Sequence, residues 1–220
     1  GSGSAFPVSD VQYPTYLVSS ISSNNGVGGF NTTNYAYEAA KVHRQGAGYL
    51  GMGKFSVWNN ITNIKTTQSF KTKHTGSLGT YYFPLTDTVK VVYMPGEVLS
   101  KTVNNYIIHE YGNKRIFPYV NTTVNDNFFH HTRNTTNSSV NTDGNRTTVT
   151  NTTVETAGSS PVTATTQTSY TNYIDAITGD GNTIPNRPQE ITVTKTHSDQ
   201  SQASFTNSTH FNYNNKGSLI

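Results

Sequence analysis

The sequence predicts an all-β protein: an antiparallel β-sandwich, with the jelly roll as a candidate topology, carrying one short helix and long polar loops. Three observations lead to this fold class. Ser69–Glu97 holds the densest run of β-branched and aromatic residues in the chain. The 220 residues include 14 Tyr and 10 Phe, whereas disordered chains are poor in aromatic residues. Strong helix formers are scarce, while the abundant Thr, Asn and Ser suit strands and turns.

Ser69–Glu97 is predicted to form two or three consecutive strands at the centre of the domain. Turn-forming residues interrupt it at Gly76, Pro84 and Gly96. Alternate residues of a strand share a face, so the apolar side chains fall into two sets: Tyr81, Phe83 and Leu85, then Val89, Val91 and Tyr93. We interpret this stretch as scaffold and expect recognition in the loops that it supports.

One short helix is predicted over Asn34–Gln45. Asn34 is a suitable N-cap, and Glu38 in the first turn interacts favourably with the helix dipole. Gly46 can end the helix. We expect this helix to cover a sheet edge or to contact another subunit.

A single domain is predicted over residues 31–220, after an extended N-terminal arm with a Gly-rich loop over residues 1–30. Sandwiches and barrels often reach this size as one unit. Residues from about 121 to 171 are dominated by Thr, Asn and Ser. This pattern suits either surface loops or long strands with polar residues on both faces. Since strands are predicted on both sides, for example at Ile191–Thr194, we interpret the region as a loop system within the domain.

The composition narrows the class of function. The formal net charge is +3 and the basic residues are dispersed, which disfavours nucleic-acid recognition as the main function and leaves room for non-specific contact. No run approaches the ~18 apolar residues of a membrane helix, so no membrane insertion is expected. Cysteine is absent and only 32% of residues are hydrophobic, which predicts a thin core and stabilisation by homo-oligomerisation.

Three aromatic residues are the candidate binding residues. Trp58, Tyr81 and Tyr82 could stack on the sugar rings of a glycan or of a cell-surface receptor. Trp58 is the single tryptophan, and a core position is the more frequent role of such a residue.

No catalytic residue, metal site or cofactor is predicted. His109 and Glu110 are adjacent on a predicted strand, so their side chains point to opposite faces. Asp126 and His130 share a strand face and His131 is next to them, but a metal site needs further ligands and their supporting contacts.

The sequence therefore predicts a non-enzymatic structural protein. We expect an assembling subunit of an extracellular particle or surface, such as a virus-type capsid or spike protein, with surface loops for recognition. Long polar segments and a thin core motivate this prediction. The alternatives are a secreted or cell-surface adhesin or carbohydrate-binding module, and a glycosidase-like β enzyme whose acidic residues converge in space.

Overall fold

The computed structural model describes residues 4–12, 16–111, 115–158, 162–177, 183–198, 203–214 and 219. The protein is all-β, with 70% strand and no helix in this described part, and it contains a large antiparallel sheet. The chain divides into two compact units. The first comprises Gly1–Pro118 and Asn125–His130, and the second comprises Tyr119–Val124 and His131–Ile220. Strand β10 (Ile116–Asn127) contributes residues to both units.

The first unit contains a large sheet and a small one. Its strands are β1 (Val8–Asp10), β2 (Ser20–Asn24), β3 (Phe30–Glu38), β4 (Lys41–His43), β5 (Gly48–Gly51), β6 (Lys54–Asn59), β7 (Ile64–Thr75), β8 (Thr80–Tyr93) and β9 (Glu97–Glu110). Strands β2, β3, β6, β7, β8 and β9 lie side by side in that order, while β1, β4 and β5 form a three-stranded sheet. The prediction of consecutive central strands over Ser69–Glu97 is confirmed, since β7 and β8 occupy this stretch.

The predicted helix over Asn34–Gln45 is wrong. This segment contains the end of β3 and the whole of β4, and the backbone turns between them at Ala39, where φ is 56°. Tyr35 and Tyr37 share a face of β3, and their rings lie 6.2 and 5.2 Å from the ring of Phe55 on β6. Cross-strand aromatic packing of this kind outweighs a modest helix propensity.

Few side chains are buried in the first unit. Leu50 on β5 is 3% exposed and is the buried apolar residue of the described part of the chain. Ser56 is buried with its hydroxyl 3.0 Å from the hydroxyl of Thr67. His74 is buried as well, and its Nε2 donates to the carbonyl oxygen of Phe83 at 2.9 Å. The interior of this unit is therefore small and partly polar.

The predicted sandwich or jelly roll is not confirmed. In the first unit, β6 to β9 follow the chain order across the large sheet, and only β4 and β5 leave it to join β1. A jelly roll instead passes repeatedly between two packed sheets. Most described strand residues have intermediate exposure.

The second unit consists of polar strands. Its strands are the middle of β10, then β11 (Thr132–Val140), β12 (Arg146–Glu155), β13 (Thr163–Ile177), β14 (Thr183–His197) and β15 (Phe205–His210). Each strand from β11 to β14 pairs antiparallel with the next. The region from about 121 to 171, for which we expected loops, is thus largely strand. β-branched Thr favours the extended backbone, and its hydroxyl finds partners on the opposite strand.

Candidate functional site

The three candidate binding residues lie at two separate places in the first unit. The pairing of β6, β7 and β8 aligns Trp58 with Lys65 and Val92. Tyr81 and Tyr82 lie at the other end of β8. Val92 and Tyr82 are separated by ten positions of extended strand, which span about 30 Å. Trp58 therefore cannot stack on the same short ligand as either tyrosine.

Trp58 already has a charged partner on its ring. The side chain is half-buried on β6, and Nζ of Lys65 lies 5.4 Å from the centroid of the indole. Such cation–π contacts contribute about 0.5–1 kcal/mol at exposed sites. A sugar ring that stacks on this face must displace Lys65.

Tyr81 belongs to a hydrogen-bonded cluster around Glu110, the last residue of β9. The carboxylate of Glu110 accepts hydrogen bonds from the backbone N–H of Ser77 at 2.7 Å, from the backbone N–H of Leu78 at 3.0 Å and from the hydroxyl of Tyr81 at 2.6 Å. It also accepts one from the hydroxyl of Ser77. We call these four residues the Glu110 cluster. The cluster attaches the end of β9 to the turn between β7 and β8.

The donors of the cluster keep Glu110 ionised. Hydrogen bonds from the Ser77 and Tyr81 hydroxyls, helped by the backbone N–H groups of Leu78 and Ser77, lower the pKa of Glu110 to about 2, against an opposing effect of desolvation. The hydrogen bond to Glu110 raises the pKa of Tyr81 above its ordinary value. A general acid needs a carboxyl pKa raised toward neutrality. The cluster therefore suits a structural anchor and not proton donation.

Tyr82 points away from the cluster and lines a cavity. Successive strand residues face opposite sides, and the ring of Tyr82 lies 4.5 Å from that of His43 on β4. The cavity has a volume of about 330 Å³, at the lower end of the range of small-ligand sites. It is lined by Ser4, Ala5, Phe6, Val8, Lys41, Thr72, Lys73 and Tyr82.

The charges at the cavity are partly compensated. Nζ of Lys41 lies 2.6 Å from Oδ1 of Asp10, its partner in the pairing of β1 with β4. Nζ also donates to the hydroxyl of Ser4. Lys73 is exposed on β7. The cavity thus presents one paired and one exposed cation beside the Tyr82 ring.

The residues considered for a metal site are spread over a strand and a turn. Asp126 lies on β10, and His130 and His131 lie in the turn that follows it. Within the described ranges, no group of three or more His, Asp or Glu side chains is placed to hold a metal ion. In the part of the chain that the structure describes, no helix is long and apolar enough to cross a membrane.

Sequence reasoning missed the Glu110 cluster. Tyr81 and Glu110 are 29 residues apart in the chain, and Ser77 and Glu110 are 33 apart. Only the antiparallel arrangement of β7, β8 and β9 brings them together. The one local signal was the alternation of strand faces, which separates Tyr81 from Tyr82 and His109 from Glu110.

Comparison with known proteins shows a shared fold and no family. No protein-family model matches the chain, and no curated protein matches it. The chain is similar to part of the crystal structure of TcdB2-TccC3-Cdc42, with a TM-score of 0.52 and 7% sequence identity. The similarity covers 76% of this chain and 12% of that chain. At this identity the likeness shows a common β-rich fold.

Proposed function

We propose that this chain is a non-enzymatic structural protein that assembles with copies of itself into an extracellular particle or surface, in the manner of a capsid or spike subunit. The observation that carries the proposal is the imbalance between buried and exposed apolar side chains. Leu50 is the buried apolar residue of the described part, whereas large apolar side chains are exposed in both units.

The exposed apolar side chains favour association. Phe30 at the start of β3 is 65% exposed, Phe129 after β10 is 72% exposed, and Phe205 on β15 is 53% exposed. A monomeric domain of this size ordinarily buries about 70% of the surface of its unfolded chain. Burying one such side chain contributes about 1.5–3 kcal/mol. Contact with other copies is the simplest way to gain this stabilisation.

Two strand edges offer the means of association. β2 is the edge strand of the large sheet in the first unit, and β15 is the edge strand in the second unit. Every residue of both strands is exposed, and neither strand contains Lys, Arg, Pro or an acidic residue. Natural proteins usually protect edges with charge or proline. Unprotected edges at two different places suit a head-to-tail contact between copies.

The compared structure contains this fold as part of a longer chain. The similar part of TcdB2-TccC3-Cdc42 is 12% of its chain, so in that protein this fold is one part of a much larger polypeptide. We propose that neighbouring copies of this chain cover its exposed apolar side chains.

Light scattering after size-exclusion chromatography tests the proposal. We expect a mass that is a multiple of 24.1 kDa and rises with protein concentration. Ile21→Lys places a charge on the β2 edge and should lower the mass. Asn105→Lys adds the same charge at an exposed position of β9, which has a strand on each side, and should leave the mass unchanged. A folded monomer at all concentrations would contradict the proposal.

A further inference from the structure

The cavity beside Tyr82 lies between the two sheets of the first unit. Its lining comes from β1 and the residues before it, from β4 of the small sheet, and from β7 and β8 of the large sheet. The ring of Tyr82 on β8 contacts the ring of His43 on β4, with 4.5 Å between the centroids. The cavity is therefore a gap between two sheets, enclosed from several directions.

Hydrogen bonds hold the N-terminal wall of the cavity in place. The backbone N–H of Arg44 donates to the carbonyl oxygen of Pro7 at 2.9 Å, and Nε of Arg44 donates to the hydroxyl of Ser9 at 2.8 Å. The backbone N–H of Val8 donates to the carbonyl oxygen of Ala5 at 3.0 Å. Because these contacts fix the wall without a ligand, less conformational entropy is lost on binding.

The cavity carries an excess of positive charge. Its lining contains two lysines and no acidic residue. Lys41 is compensated by Asp10, whose Oδ1 lies 2.6 Å from Nζ. In the part of the chain that the structure describes, no hydrogen bond or ion pair engages the ammonium group of Lys73. These three residues together leave one positive charge, which a single negative charge on a ligand would balance.

Lys73 and Tyr82 place two donors side by side. They are directly opposite each other in the pairing of β7 with β8, so their side chains project to the same face. Among the described residues, the Tyr82 hydroxyl has no hydrogen-bond partner either. An ionised carboxyl group has two acceptor oxygens, and hydrogen bonds between an ammonium group and a carboxylate are among the strong ones. A carboxylate is therefore the acceptor that this pair of donors suits.

The N-terminal wall supplies apolar surface. Ala5, Phe6 and Val8 line the cavity there, and the Phe6 side chain is 75% exposed. A bare inorganic anion would leave this surface in contact with water. A ligand that also carries a hydrocarbon group would cover part of it, which is favourable. The lining thus favours an organic anion over an inorganic one.

The size of the cavity restricts the ligand to a small molecule. The volume is about 330 Å³, which at a packing density of about 0.75 corresponds to an occupant of roughly 250 Å³. We propose that this cavity binds a small organic monocarboxylate. The carboxylate contacts Lys73 and the Tyr82 hydroxyl, and the aromatic or aliphatic group lies against Phe6 and Val8.

The first test uses the unmodified full chain and three probes: phenylacetate, benzoate and hexanoate. Ligand-observed saturation-transfer NMR measures their binding, and it works for a monomer and for an assembly alike. We expect at least one dissociation constant of about 10 mM or below. Binding should weaken in high salt, because the attraction to Lys73 is screened.

Phenylacetamide is the matched probe, since it keeps the aromatic group of phenylacetate and removes the charge. We expect it to bind at least about threefold more weakly than phenylacetate. Absence of saturation transfer to all three carboxylates would overturn the proposal. Equal binding of phenylacetate and phenylacetamide would overturn it as well.

The second test locates the binding site. Lys73→Gln removes the charge at an exposed position, so the fold should be kept, and far-UV circular dichroism checks this. We expect carboxylate binding at least about threefold weaker. Tyr82→Phe keeps the ring beside His43, removes the hydroxyl and should weaken binding by about twofold or more. The matched control, Lys101→Gln, makes the same change at an exposed position of β9 outside the cavity and should bind like the native chain.

Each variant can contradict the proposal. Native binding by Lys73→Gln, or by Tyr82→Phe, would show that the carboxylate does not contact that residue and would overturn the proposed site. An equal loss in Lys101→Gln would show general attraction to surface lysines and would overturn it too. Assembly is read from mass and ligand binding from saturation transfer, so this proposal and the proposed function can fail separately.

Discussion

The Glu110 cluster makes a quantitative prediction about one carboxyl group. The pKa of Glu110 should be about 2 in the native protein, well below the ordinary 4.5, and the Ser77 hydroxyl is the largest cause, followed by the Tyr81 hydroxyl. Ser77→Ala should therefore raise this pKa most, and Tyr81→Phe should raise it by a smaller amount. Each value should lie between about 2 and 4.5, since the backbone donors remain.

A titration of the side-chain carboxyl carbon by NMR measures these values directly. Tyr106→Phe is the matched control, because the Tyr106 hydroxyl donates to the carbonyl oxygen of Thr86 at 2.9 Å and does not contact Glu110. This control should leave the Glu110 titration unchanged. A native Glu110 that titrates near 4.5, or one that ignores both Ser77→Ala and Tyr81→Phe, would refute the reasoning.

The same cluster predicts a pH dependence of local stability. A carboxyl whose pKa is lowered by folding stabilises the folded state above its unfolded value, and this contribution is lost as the pH falls through the folded value. The cluster should therefore be intact above about pH 4.5 and open progressively toward pH 2. Hydrogen exchange at the backbone amides of Ser77 and Leu78 reports the opening, after correction for the intrinsic pH dependence of exchange. Constant protection over this range would contradict the prediction.

Three further predictions concern the scaffold of the first unit. Leu50→Ala removes the buried apolar side chain and should lower the free energy of unfolding by about 2–5 kcal/mol in denaturant titrations, whereas Leu78→Ala at a 65% exposed position should change it by less than ~0.5 kcal/mol. Gly76→Ala places a Cβ in steric conflict with the Oε1 atom of Glu110, so the Glu110 carboxyl should shift away from its donors and titrate at a higher pH. Gly96→Ala has open space around the added Cβ and should have no effect. Val91→Asp puts a charge at a half-buried position of β8 and should abolish the far-UV β signal in circular dichroism; a normally folded variant would show that the centre of the sheet lies elsewhere.

Local sequence patterns predicted strands well where most residues of a segment have a high β propensity. The aromatic and β-branched run at Ser69–Glu97 became β7 and β8 because such residues favour the extended backbone regardless of their distant neighbours. The same approach failed at Asn34–Gln45. There the N-cap and helix-dipole interactions would stabilise a helix only slightly. The contacts of Tyr35 and Tyr37 with Phe55, some twenty residues away, stabilise the strand instead.

The Asn/Thr-rich region shows a different limit. Its composition allowed loops or two-sided polar strands, and single residues could not separate them because Thr and Asn suit both. The structure has strands because neighbouring hydroxyls satisfy one another, as between Thr194 and Thr206. The position of Trp58 is a similar case, since its half-burial and its contact with Lys65 depend on how β6 pairs with β7.

The sequence by itself determined the all-β class, the location of the central strands and the scarcity of apolar residues for a core. These properties follow from the backbone preference of each residue and from composition, which need no knowledge of distant contacts. Tertiary structure alone decided the strand order, the Glu110 cluster and the register of the Thr-rich strands β11 to β15. Each of these depends on register, since a shift by one residue moves every side chain of a strand to the other face. Register is set by pairings between residues far apart in the chain, which no local pattern contains.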